Sequence, residues 1–135
     1  MNKKSKFRPE LKKLYNDALA LYKDGKHEQA VNLFEQITNQ APNIPHSFFQ
    51  LGTIAWDHEQ LKKAYQYFVK ASKLLPESSL ASLCVFHVLW ELEEYESALN
   101  ELKRFRNTGV KCKDYDDIIA GLIKDKFIDE NLSLL

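Results

Sequence analysis

The chain has 135 residues, enough for one domain with a core of its own. Nineteen basic residues balance nineteen acidic ones, which argues against a broad phosphate-binding surface, and four glycines with four prolines are too few for a β-sandwich, a barrel or a disordered chain. No apolar run approaches the ~20 residues of a membrane-spanning helix.

The first nine residues, with Lys3, Lys4, Lys6 and Arg8, read as a basic tail (1–9) lacking the apolar stretch that export requires. From there an internal period of 34 residues takes over, marked by Ala30, Ala64 and Ala98. Each alanine is followed four residues later by Phe34, Phe68 or Leu102, and seven residues later by Ile37, Ala71 or Phe105. Ahead of them run the columns Ala18, Gly52, Phe86 and Leu21, Ala55, Leu89. A period of this length, with small and large apolar residues at fixed offsets, predicts stacked helix pairs. The pairs place helices at about 10–24, 27–40, 45–57, 61–74, 79–91 and 95–107. Gly25 suits a left-handed helix terminus, Pro42 and Pro76 stop the second helix of their pairs, and Ser78 or Ser79 caps the fifth helix. Past Gly109, Asp114, Asp116 and Asp117 precede the stripe Ile118, Ile119, Leu122 and Ile123. Acidic residues at a helix start and an apolar face behind them predict a capping helix at about 114–126. Residues 127–135 are either its continuation or a loose tail.

Cys84 and Cys112 form no close pair and read as reduced thiols of a cytoplasmic protein. His27, His46, His58 and His87 show no ligand spacing in the sequence, and Cys84 with His87 is a lone pair, so no metal site is expected. No nucleophile context and no glycine-rich phosphate loop is present, so neither a cofactor nor catalysis is expected. Glu91, Glu93, Glu94 and Glu96 fall at a turn and read as a solvated surface.

The second repeat, about 45–78, resembles the tetratricopeptide repeat through Phe48, Leu51, Gly52, Ala55, Ala64, Phe68, Ala71 and Pro76. The first, about 11–44, matches through Leu14, Ala18, Leu21, Ala30, Phe34, Ile37 and Pro42, with Asp17 off pattern. The third, about 79–112, departs most: Ser82 replaces an aromatic residue, Phe86 a small one, and Val110 the proline. The resemblance implies an all-α fold, a tetratricopeptide-repeat right-handed superhelix of three helix-turn-helix repeats plus a capping helix, forming one domain over 10–126. It also implies a concave groove lined by the first helix of each pair. The groove columns are Tyr15, Leu19 and Tyr22, then Phe49, Thr53 and Trp56, then Leu83, His87 and Trp90. Both tryptophans stand in one column, and aromatic residues dominate binding hot spots. Against that stands the plainer expectation that both are interior.

Members that clamp the acidic tails of heat-shock chaperones need Lys and Asn where this chain has Tyr15 and Leu19, so that mode is not expected. The layout is similar to small bacterial chaperones of type III secretion and to immunity proteins. It implies a non-catalytic binder of another protein, taking an apolar segment or a folded domain, or else a scaffold bridging two proteins. Nucleic acid and membrane are not expected partners; a homodimer is left open.

Overall fold

The structure, a computed structural model, describes residues 8–135. The basic tail expected over 1–9 lies mostly outside the described residues. Seven helices follow in order: α1 (Pro9–Lys23), α2 (His27–Gln40), α3 (His46–Asp57), α4 (Leu61–Leu74), α5 (Ser79–Glu91), α6 (Tyr95–Arg106) and α7 (Lys113–Lys124). The chain divides into two compact units, one ending at Leu74 and the other spanning Leu75–Leu135.

In the first unit α1 packs on α2, α3 on α4, and α2 on α3. Pro9 opens α1, where its missing N–H would have had no intrahelical partner in any case. The core gathers Leu11, Ala18, Ala30, Phe34, Ile37, Leu51 and Ile54. Ala18, Ala30 and Ala64 are completely buried, the condition under which a small side chain allows neighbouring helices to close on one another. Gly52 shows how close: a Cβ added there would lie 2.5 Å from the Phe68 ring.

In the second unit α5 packs on α6, and the Ser78 side chain caps α5 by accepting from the Ala81 N–H at 3.1 Å. Ala98, Leu99, Leu102 and Phe105 are the buried face of α6.

The intra-repeat turns share one geometry. The N–H of Gly25, Glu59 and Glu93 bonds to Tyr22, Trp56 and Trp90 carbonyls respectively, and the next N–H reaches back to Leu21, Ala55 and Leu89. All three residues are left-handed, with φ of 81°, 59° and 63°. Only the first is the glycine this conformation favours.

Two details at the carboxyl end differ from the sequence expectation. The stripe Ile118, Ile119, Leu122 and Ile123 is only half-buried, and the fully buried residue of α7 is Tyr115. After α7, which stops at Lys124, the chain is neither a helical continuation nor a loose tail. It turns back on itself: the Leu135 N–H bonds to the Phe127 carbonyl at 3.0 Å, Ile128 bridges Leu134, and Ile128 and Leu132 are buried. The reason is local polarity. Asp129 Oδ1 accepts from the Asn131 and Ser133 N–H groups and closes a turn that drives the flanking apolar residues inward.

Candidate functional site

In the first unit the predicted groove residues Tyr15, Leu19 and Tyr22 lie on α1, and Phe49, Thr53 and Trp56 on α3. Each is half-buried. Tyr15, Leu19 and Tyr22 pack against the core, so one side of each side chain is held while the other stays accessible. Two side-chain hydrogen bonds link the helices, one at their carboxyl ends and one midway along. Tyr22 Oη donates to Asp57 Oδ2 at 2.7 Å, and Gln50 Nε2 donates to Tyr15 Oη at 3.4 Å. The bond to the Asp57 carboxylate raises the Tyr22 phenol above its usual value, with burial and the carboxylate charge adding to it. Tyr15 also meets Phe34 and His46 edge-on, with centroids 5.6 and 6.0 Å away. Trp56 stands edge-on to Phe68 at 5.9 Å, which fixes its ring plane. Thr53 returns its hydroxyl to the Phe49 carbonyl at 2.9 Å, which satisfies its donor within the helix.

The second unit carries Leu83, His87 and Trp90 on α5. His87 is exposed, while Leu83 and Trp90 are half-buried. Trp90 is more enclosed than a groove residue need be: it stacks on Phe86 at 5.6 Å, meets Tyr95 at 4.6 Å, and is approached by Phe127 at 6.3 Å. Trp56 and Trp90 are each a packed residue with an accessible side.

The irregular third repeat has a physical explanation. Ser82, in the aromatic column, is buried and donates to Glu101 Oε2 at 2.7 Å, leaving its oxygen to accept from the Tyr115 hydroxyl at 2.7 Å. Arg104 clamps the same carboxylate through Nε at 3.0 Å and Nη2 at 2.7 Å, and donates to the Pro76 carbonyl at 3.0 Å. The Glu101 bond holds the Arg104 guanidinium more firmly protonated. Tyr115 also sets its ring against Phe86 and Phe105, 5.6 and 5.7 Å away. An aromatic residue missing from α5 is thus supplied by α7.

The histidines do pair in space: His27 Nδ1 lies 2.8 Å from His58 Nε2, although 31 residues separate them. The sequence spacing concealed this because the partners sit on different helices. The useful signal was the period itself, since Tyr15 with Gln50 and Tyr22 with Asp57 are also about one repeat apart. Glu91, Glu93, Glu94 and Glu96 are exposed. Cys84 is half-buried, and burial pushes its thiol up to about 11.

No family model and no curated relative matches the chain by sequence. Solved structures do match in fold. The CopN–Scc3 complex superposes with a TM-score of 0.72 at 16% identity, over 89% of this chain and 71% of that one. The Yersinia enterocolitica type III secretion translocator chaperone SycD gives 0.68 at 16% identity, over 87% of this chain and 89% of that one. MamA from Desulfovibrio magneticus RS-1 gives 0.67 at 22% identity, over 77% of this chain. This chain spans only 58% and 59% of two MamA chains. The architecture is accordingly all-α and of the tetratricopeptide-repeat type, a helical repeat shared with these structures. No helix among the described residues is long and apolar enough to cross a membrane.

Proposed function

We propose that the chain is a non-catalytic, cytoplasmic binding module for one cognate protein. Its binding face is the aromatic side of α1 and α3, and it acts as a dedicated chaperone by holding an apolar segment of that protein. The observation that carries this reading is that Tyr15, Tyr22, Phe49 and Trp56 are all half-buried on two helices cross-linked by the Tyr22–Asp57 and Gln50–Tyr15 bonds. Rings already held in place lose little rotamer freedom when a partner covers them, so their contact area converts efficiently into affinity. Charge argues in the same direction: balanced composition offers nothing to a phosphate backbone or to a strongly charged tail. The fold likeness to a secretion chaperone supports a chaperone over a scaffold.

The test is photo-crosslinking in the native cytosol, with a benzophenone amino acid at Phe49 or at Lys63, which is exposed on α4. One protein captured from position 49 and not from 63 is the expected result. Trp56→Ala, verified as folded by circular dichroism, should then weaken binding of that purified protein by about 2 kcal/mol or more, roughly thirtyfold. Capture from Lys63 alone would move the interface to the second helices and end this reading.

A further inference from the structure

We propose that His27 and His58 form a binding site for a divalent transition-metal ion, of which Zn2+ is the favoured occupant. The two imidazoles come from rigid helix ends. His27 is the first residue of α2, and His58 caps α3, its N–H bonded to the Ile54 and Ala55 carbonyls. Their nitrogens already point at each other across 2.8 Å, with ring centroids 4.9 Å apart and planes at 88°. At metal–nitrogen distances of ~2.0–2.1 Å, two tetrahedral ligands lie ~3.4 Å apart, so the rings need to separate by about half an ångström. His58 is exposed and has room to move by that much.

The surroundings are those of a held ligand. The Tyr22 ring lies against the His27 ring at 4.9 Å and 33°, and Tyr22 is itself tied to Asp57 at 2.7 Å. The Tyr22 contact holds the plane of the His27 ring, and the Asp57 carboxylate stands two contacts away from the proposed cation. His58 sits where the unpaired carbonyls of a helix end favour positive charge. The chemistry balances without an added reagent. In the hydrogen-bonded pair one facing nitrogen carries the proton and the other accepts it. On metal binding that proton passes through solvent to the far nitrogen of its own ring, and both facing lone pairs go to the metal. No third His, Cys, Asp or Glu converges on the pair among the described residues, so water completes the coordination. Imidazole nitrogen selects Zn2+, Cu2+ or Ni2+ over Mg2+ and Ca2+. A bound ion would clamp the start of α2 to the end of α3, fastening the first repeat to the second.

The test is titration of the full chain with Zn2+ by isothermal calorimetry, with Cu2+ as the spectroscopic probe. One Zn2+ per chain should bind, its melting temperature should rise with Zn2+, and Cu2+ paramagnetic resonance should report two imidazole nitrogens. His27→Ala and His58→Ala should each abolish the calorimetric signal and leave one nitrogen or none. His46→Ala and His87→Ala should bind like the wild type, which separates this site from Cys84–His87. His58→Gln, which keeps a hydrogen-bonding side chain, should also lose Zn2+; it serves if the alanine variant misfolds. Tyr22→Phe, which frees the ring from Asp57, should weaken Zn2+ about tenfold. Absence of binding by the wild type, or equal binding by His27→Ala and His58→Ala, would show a hydrogen-bonded pair only and overturn the proposal.

Discussion

The Tyr115 hydroxyl lies 2.7 Å from Ser82 Oγ, inside a site where both residues are at most 1% exposed. This one contact ties the seventh helix to the fifth and repairs the least regular of the three repeats. The pair is polar in a buried place, and its energetics follow from that. A buried donor left without its acceptor loses the hydrogen bond and keeps the full cost of desolvation.

Ser82→Ala should therefore destabilise the protein by about 1–3 kcal/mol, because it strands the Tyr115 hydroxyl and removes a donor from Glu101. Tyr115→Phe should be milder, since Ser82 retains its Glu101 acceptor. Chemical denaturation of both single variants and the double variant would measure the coupling. Strict additivity of the two single effects would contradict the observed geometry.

Burial pushes the Tyr115 phenol well above its usual value near 10; Tyr67 on α4, half-buried and donating to Glu35 Oε2 at 3.2 Å, is pushed up to about 12 by burial and the Glu35 charge. The folded chain thus keeps protons that the unfolded chain releases. Stability from these groups is fully present below the unfolded value of about 10 and is lost as the pH rises toward the folded values. Urea midpoints should fall progressively above about pH 10, and the fall should be shallower in Tyr115→Phe. An identical alkaline slope in the variant would refute the assignment.

Gly52 and Ala64 mark the closest helix contacts in the second repeat. Gly52→Ala drives a methyl group into the Phe68 ring, and Ala64→Leu adds a branched side chain at a fully buried site. Each should destabilise by about 1–3 kcal/mol, read as a lower melting temperature. Phe68→Leu should partly rescue Gly52→Ala by opening the space that the ring occupies. The third repeat uses a related exchange, with Phe86 at the Gly52 position and Leu102 at the Phe68 position.

Glu59 and Glu93 occupy the left-handed turn that Gly25 occupies in the first repeat. A side chain there is strained by about 1 kcal/mol or more. Glu59→Gly and Glu93→Gly should each stabilise by up to about 1 kcal/mol, offset in part by the greater freedom of glycine in the unfolded chain. Gly25→Ala should have the opposite sign. A loss of stability in both glutamate variants would mean that these carboxylates make an interaction stronger than the strain.

Cys84 should react slowly with iodoacetamide at neutral pH, because burial holds its thiol up to about 11 and only the thiolate is the nucleophile. Its labelling rate, followed by peptide mass spectrometry, should climb about tenfold per pH unit until it approaches that value. Rapid labelling at pH 7 would show that the second unit opens around α5.

The 34-residue period was sufficient to mark out three helix pairs and their buried alanines. It is legible because steric fit between stacked helices repeats at every period and leaves the same small and large residues at the same offsets. What the period could not carry was each side chain's partner on another helix. That Asp57 accepts the Tyr22 hydroxyl depends on how α1 lies against α3. His27 and His58 stand 31 residues apart, close to one repeat, yet they meet only because two helix ends converge. Ser82 looked like a defect until α7 placed the Tyr115 hydroxyl beside it, and Glu59 and Glu93, which the period places in turns, gave no sign of the left-handed conformation because the hydrogen bonds around them, not their own preference, impose it. A repeating pattern specifies what every repeat shares, while polar contacts between helices depend on directions and distances that exist only after the helices have packed.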